Sequence, residues 1–487
     1  MTLIHLGFCI PVLIIVHSTK PNLELTALDM FGLMSVIGKM SSPNSEDEDL
    51  VFYFKDMMRY KIPHQISLGP IGSFWTNKSD KELFSILEMN FFDELSSYNS
   101  YIQEVLSYLI KNPDLDQECV LNSSFIPILI NSIEYLVENN CSDSIIKDYV
   151  WVASLLIGLS IDIAQFMIDN NIYYVLESVI KTKNRMCIMH SFVCMKNLAN
   201  YASIVHHLNQ NNCFLQTIME ETSGFLIKNE INIPLSVLSS ICRYELPEKY
   251  EESVFLLLKD CYDKSNSISK PYSVIGIHNF FFYSENRMQK AIDLGICKIT
   301  PIFLMSGNNQ AVEAALDVVK RILRSNYAQS YDSNDLIRNL KYVSMMSIKE
   351  IASHSVESLF LLIKFHPNGD RIADDPTFVD FICNVSQHSF YGSRFFAVKV
   401  IMYSIKKIER IPIYLAKGCS RSLIEMLDST NHKLSLRILK SLITLSSHQL
   451  FNIEGLERHL DPFIDNELGI MSDLALLLVE KTHRVGS

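Results

Sequence analysis

From about Lys81 onward, apolar residues recur at helical spacing between short polar breaks, and two-residue alternation is almost absent. Ile172, Val175, Leu176, Val179 and Ile180 fall at i, i+3, i+4, i+7 and i+8, which is one apolar stripe of an amphipathic helix. A polar break at 181–184 follows, then a longer helical pattern over 186–200. The same order of short helix, break and long helix returns at 299–304, 306–309 and 312–324, and again at 423–427, 428–431 and 434–445. Counted from the short helices, units begin near residues 124, 172, 213, 251, 296, 341, 377 and 419, a mean spacing of about 42. Two or three helices cannot bury an apolar face by themselves, so units of this length must stack on their neighbours. The pattern predicts an all-α chain of eight or nine stacked units over residues 81–487, capped by helices near 84–110 and 471–481.

Residues 1–80 follow another pattern. Leu3 to Val16 is an apolar run interrupted by Pro11, shorter than the ~20 residues that span a bilayer, and followed by Val16-His17-Ser18. It is read as a terminal buried segment, with a signal peptide as the alternative. Ser41 to Asp49 is a charged linker, and Pro63, Gly69, Pro70 and Gly72 mark 61–80 as loop-like.

Three units carry a family resemblance. Asp293-Leu294-Gly295-Ile296, an apolar helix, a Gly-Asn turn and Ala314-Ala315-Leu316 with Ile322-Leu323 resemble an armadillo repeat. Lys417-Gly418-Cys419 with 423–427 and 439–445 resembles a second. Asn170-Asn171-Ile172 with Lys196-Asn197-Leu198-Ala199 resembles a third, with Asn where Gly is expected, at a junction that tolerates a left-handed residue. The resemblance implies an α–α superhelix, an armadillo/HEAT-like solenoid, with a less regular N-terminal region. It also implies that the third helix of each repeat lines a concave groove. The nuclear-import adaptors of this family carry a Trp–Asn ladder on that helix. This chain has two Trp, Trp75 and Trp151, and Val193 stands four residues before Asn197, so that function is not supported.

Composition narrows the function. With 16 Gly and 15 Pro in 487 residues, the many tight turns of an all-β protein are missing, and 48% hydrophobic residues exclude a disordered chain. Basic residues number 43 against 54 acidic ones, a net charge of −11, which argues against a nucleic-acid partner. The 11 cysteines lack any CxxC pair and read as reduced thiols, placing the protein in the cytoplasm, with the nucleus as the alternative.

No catalytic or phosphate-binding motif is present, no cofactor is implied, and the chain reads as a non-enzyme. Cys187, His190 and Cys194 share one helix face that also holds core positions, and they read as buried structural residues, not as a metal site. Phe280 to Tyr283 reads as core packing, and Asp374-Asp375 as a solvated turn before Pro376. One candidate binding feature remains. When the long helices are aligned on their apolar stripes, a basic residue recurs at an equivalent outward position: Lys196, Arg243, His278, Lys320, Lys364, Lys406 and Lys440. Arg321 and Arg324 flank Lys320, Lys399 lies below Lys406, and Arg437 is beside Lys440. Glu313, Asp317 and Glu357 share the face. The expectation is a protein-binding scaffold whose basic ladder holds an acidic extended segment of a protein partner, without a membrane span. The alternative is a regulatory subunit that positions or controls a partner enzyme.

Overall fold

The computed structural model describes residues 116–485, apart from 211, 228–231, 268, 428–430, 452–455 and 465–468, together with six residues between 102 and 109. The expectations for 1–80, including the run at Leu3 to Val16 and Trp75, lie outside the described residues. So does most of the expected cap at 84–110, although Ile102, Val105, Leu106 and Leu109 are buried at helical spacing. Among the described residues there are α-helices and two short 3-10 turns, and no strand.

The chain divides into two compact units between Pro247 and Glu248. The first holds α1 (Gln117–Leu121), α2 (Phe125–Glu138), α3 (Asp143–Leu159), α4 (Ile161–Asp169), α5 (Ile172–Lys181), α6 (Arg185–Leu198), α7 (Ala202–Gln210), α8 (Asn212–Ile227) and α9 (Asn232–Ile241). The second opens with α10 (Glu248–Lys264), α11 (Lys270–Tyr283), α12 (Glu285–Asp293), α13 (Ile296–Phe303), α14 (Asn309–Leu323), α15 (Ser333–Val343) and α16 (Lys349–Phe365). It continues through α17 (Gly369–Asp374), α18 (Pro376–His388), α19 (Tyr391–Ser404), α20 (Ile411–Ala416), α21 (Cys419–Ile424), α22 (His432–Leu445), α23 (Leu456–Ile464) and α24 (Gly469–Val485).

Each unit is a stack. In the first, α3, α6 and α9 pack in series, and α2, α5 and α8 form a second row. In the second, α11, α14, α16, α19, α22 and α24 follow one another as a row of long helices, each backed by shorter ones. The sequence period reappears as a contact rule, since side chains reach across about one period to the preceding helix. Asn197 donates to the carbonyl of Ser154, 43 residues back, at 2.9 Å. The Tyr201 hydroxyl reaches the carbonyl of Ile157 at 44 residues, and that of Tyr414 the carbonyl of Ala373 at 41. Ser386 donates to Ser422, 36 residues on, at 2.7 Å.

Local chemistry sets the repeat boundaries. Asn171, Gly295 and Gly418 take positive φ values of 66°, 92° and 75° and open α5, α13 and α21. Here Asn and Gly tolerate the left-handed backbone that a branched side chain resists. Long helices α6, α14 and α22 then start behind Asn184, Asn308 and Asn431, whose side-chain oxygens accept from backbone N–H groups of the first turn. One expected boundary moves. The unit placed near residue 341 begins instead at Ser333, because Asp332 accepts from the amides of Asn334 and Asp335 and starts α15 there.

Candidate partner-binding face

The expected ladder residues occupy three environments. In the first unit, Lys196 lies in the last turn of α6 and hydrogen-bonds Ser240 of α9, so it is half-buried between stacked helices. Arg243 sits in the turn after α9, not on the helix itself, and is also half-buried.

In the second unit, the bases of α11 and α14 are neutralised within the protein. His278 Nε2 is 3.8 Å from Asp317. Lys320, expected to point outward, is buried at 9% exposure, with Nζ 2.8 Å from Asp317 and 3.7 Å from Glu357 of α16. Arg324 binds the other oxygen of Glu357 at 2.7 Å, and Arg321 pairs with Glu285. Burial alone would raise the Asp317 carboxyl, but hydrogen bonds from His278 and Lys320 and their charges hold it at about 2. Two of the acids that share this face, Asp317 and Glu357, are therefore counter-ions to its bases.

The third environment begins at the C-terminal end of α16. Lys364, Lys406, Arg437 and Lys440 are exposed, and Lys399 is half-buried on α19. Among the described residues none of these five has a carboxylate within ion-pair distance. Aromatic rings stand beside three of them. The Lys399 ammonium is 4.0 Å from the ring centre of Phe395 and 4.8 Å from that of Phe396, Lys364 is 4.6 Å from Phe365, and Lys406 is 5.3 Å from Tyr403. Phe360 of α16 meets Tyr403 of α19 edge-on at 6.3 Å. Lys406 lies just past the end of α19, so the basic positions differ in height along their helices. Sequence reasoning missed the aromatic component. Its signal was Phe395, Lys399 and Tyr403, two four-residue steps that put all three on one face, with Phe396 three residues before Lys399.

Other candidates resolve as structural. Cys187, His190 and Cys194 are buried in α6, where Cys187 Sγ donates to the carbonyl of Asp143 and His190 packs 5.4 Å from Trp151. Burial pushes the Cys187 thiol up to about 11 and holds His190 down at about 3. Among the described residues, no group of three His, Cys, Asp or Glu side chains is placed to hold a metal ion. Phe280 and Phe281 are core residues, whereas Phe282 and Tyr283 are exposed, which corrects the reading of the whole run as core. Asp374 is not a free turn residue, since it accepts from the buried Arg410 Nε at 2.5 Å, while Asp375 caps α18. No described helix is long and apolar enough to cross a membrane.

The stacked rows, the left-handed junctions and the contacts at one-period separation together define the architecture. The fold is an armadillo/HEAT-type helical repeat. The crystal structure of an engineered protein is similar to it at a TM-score of 0.59 and 10% identity, covering 84% of this chain and 99% of that one. A computationally designed armadillo repeat protein for modular peptide recognition aligns at a TM-score of 0.42 and 13% identity, over 48% of this chain and 99% of that one. A structure concerned with a phosphorylation switch in the interaction between cadherin and β-catenin aligns at 0.47 and 12%, over 93% of this chain and 99% of that one. The fold likeness rests on the first of these. No protein-family model and no curated protein matches the sequence. On α16 and α19, Lys364 and Lys399 combine a positive charge that has no carboxylate within ion-pair distance among the described residues with adjacent aromatic rings.

Proposed function

We propose that the protein is a non-catalytic binding scaffold that uses the exposed faces of its long helices to hold an acidic, extended segment of another protein. One observation carries the reading. In a chain of net charge −11, Lys364, Lys399, Arg437 and Lys440 on successive long helices of one row, and Lys406 in the turn after α19, have no carboxylate within ion-pair distance among the described residues. Clustered cations raise the local concentration of an acidic partner and speed its encounter, with an effect that falls as salt rises. The earlier part of the ladder, at Lys320, Arg321 and Arg324, carries its own counter-ions and contributes shape more than charge. His278, in the same unit, belongs to the proposal as a flanking position, and Lys196 and Arg243, in the first unit, form no part of it.

The test is a set of reversals on the full chain. Lys364→Glu, Lys406→Glu and Lys440→Glu together should leave Tm nearly unchanged, because exposed charges contribute only ~0–1 kcal/mol each. Affinity capture followed by mass spectrometry should recover a partner with the parent protein and lose it with the triple variant, and added salt should reproduce the loss. A triple variant that retains every partner of the parent would refute this reading.

A further inference from the structure

Six large apolar side chains stand exposed on three consecutive turns of the second unit. Ile302 and Met305 lie where α13 passes into α14, Tyr342 and Met345 where α15 passes into α16, and Phe390 and Tyr391 where α18 passes into α19. Their exposures run from 38% to 70%. Single exposed apolar residues are ordinary, but a contiguous group of them marks a contact surface. Three contacts tie these turns together. The Asn339 side chain of α15 donates to the carbonyl of Pro301 at 2.8 Å, one residue before Ile302. The ammonium of Lys349, at the start of α16, lies 5.5 Å from the ring centre of Phe390. The openings of α16 and α19 meet through the hydroxyls of Ser353 and Ser393 at 3.5 Å, and Ser353 leaves no room for a Cβ at Gly392. Lysines share this edge. Lys298 and Lys349 are exposed and Lys341 is half-buried, and none of the three has a carboxylate within ion-pair distance among the described residues. Of the acids in the same stretch, Asp335 is bound by Arg338 at 2.7 Å, Asp375 caps α18, and Glu350 is exposed beside Lys349.

We propose that this edge is a membrane-contact surface, on which the six apolar side chains enter the headgroup region of an anionic lipid leaflet while Lys298, Lys341 and Lys349 bind lipid phosphates. Side-chain type and exposure favour a lipid surface over a protein partner. Met345 is 70% exposed and Ile302 54%, so they project from their turns as pegs. Side chains that wall a pocket for a partner's anchor residue are covered by their neighbours instead. Tyr342 and Tyr391 each carry an apolar ring with a polar tip, which suits the boundary between headgroups and acyl chains. Lysine stems lie along apolar surface while their ammonium groups reach the phosphates, and an anionic leaflet attracts them. The net charge of −11 does not forbid this. Screening limits the leaflet's field to about 8 Å at physiological salt, and only the residues of the contacting edge lie that close. The surface is separate from the face proposed for an acidic segment and does not rest on that reading, since Lys349 and Lys364 stand at opposite ends of α16.

The experiment uses the full chain and sucrose-loaded vesicles of phosphatidylcholine, with or without phosphatidylserine. The protein should sediment with the phosphatidylserine vesicles at least about tenfold more tightly than with the neutral ones. Tyr342→Ser, Met345→Ser and Tyr391→Ser together preserve the charge and should leave Tm nearly unchanged, because all three side chains are exposed. They should lower vesicle affinity about tenfold or more. Lys298→Gln, Lys341→Gln and Lys349→Gln should remove the preference for phosphatidylserine. The pair Lys298→Gln and Lys349→Gln, both at exposed positions, serves where the half-buried Lys341 position lowers Tm. In Met345→Trp, lipids brominated near the headgroup should quench emission beyond that of the parent, whose Trp75 and Trp151 set the background. A serine variant that binds vesicles as well as the parent would overturn the proposal, since contact through another segment, such as the apolar run Leu3 to Val16, survives those substitutions. So would a parent that does not bind phosphatidylserine vesicles, or a Met345→Trp variant that is not quenched. Capture of a protein that is lost with the serine variant, without vesicle binding, would make the edge a protein-docking surface and end the lipid reading.

Discussion

Glu251 of α10 accepts a 2.8 Å hydrogen bond from Nε of Arg287 of α12, a side chain with no exposed surface. Lys290 binds the other carboxylate oxygen, and the Arg287 guanidinium lies 4.1 Å from the ring centre of Tyr283 and 5.3 Å from that of Phe280. Burial alone would raise the Glu251 carboxyl, but the two cations outweigh it and hold it below its ordinary range. This cluster joins α10 to α12 where the second unit begins.

Removing the acid leaves a buried cation with its main partner gone. Glu251→Ala should cost about 3–5 kcal/mol, far more than an exposed pair would. Glu251→Gln, which keeps an acceptor but not the charge, should fall between Ala and the parent. Urea denaturation checks both, and a loss below ~1 kcal/mol for the Ala variant would show that solvent reaches Arg287.

His190 makes a pH prediction. Its folded-state value is about 3, against an ordinary 6.5, because burial and the charge of Lys147 disfavour the imidazolium. As pH falls below 6.5 the unfolded chain takes up a proton that the folded chain refuses, so this residue's contribution to stability declines between about pH 6.5 and 3. Between pH 7.5 and 5 the loss from this one residue should be about 2 kcal/mol. His190→Gln should lose less stability than the parent over that interval. Equal slopes for the two proteins would mean that His190 is protonated in the folded state.

The repeat period was legible because stacking requires it. Asn197 and Ser154 are 43 residues apart because they occupy successive layers. The Gly and Asn junctions were legible for a local reason, since few other residues accept a positive φ at Asn171, Gly295 and Gly418. The start of α15 was missed because Asp332 reads as a loop residue until its side chain is seen to accept two backbone amides. Lys320 was misplaced for the opposite reason. Asp317 is visible one turn away and Glu357 is visible on the same face of the next unit, but the local pattern does not reveal that packing of α16 on α14 brings Glu357 against Lys320 and buries it. Arg410 likewise finds Asp370 and Asp374 some 40 and 36 residues back in sequence.

The core of the last repeats allows a test of locality. Leu439 and Leu442 of α22 are fully buried, with Lys440 between them exposed. Leu439→Ala should cost about 2–5 kcal/mol through lost apolar burial and a residual cavity. Because repeats couple mainly to their neighbours, hydrogen exchange should rise in α19, α22 and α24 and stay near parental levels in α11 and α14. A uniform rise across the second unit would show that it unfolds as one cooperative block.

The sharpest contrast between sequence and structure lies at two lysines of the same ladder. Lys320 is buried and sits between Asp317 and Glu357, whereas Lys364 is exposed beside Phe365 with no acid near it among the described residues. Lys320→Glu would therefore bring a third carboxylate against two that are already held close, in a place with little water to screen them. The expected loss is about 3 kcal/mol or more. Lys364→Glu should change stability by no more than about 0.5 kcal/mol. The Lys320→Glu defect should shrink as pH falls through the carboxylate range, because protonating any of the three acids relieves the repulsion. For the parent the sign is opposite. Asp317 is held at about 2 against an ordinary 3.8, so its pairing stabilises the fold above pH 3.8, and that contribution is lost as pH falls toward 2. Denaturation midpoints of the two variants at pH 7 and pH 4 separate these outcomes. Equal behaviour of Lys320→Glu and Lys364→Glu would place both side chains in solvent, with the ladder uniform along its length.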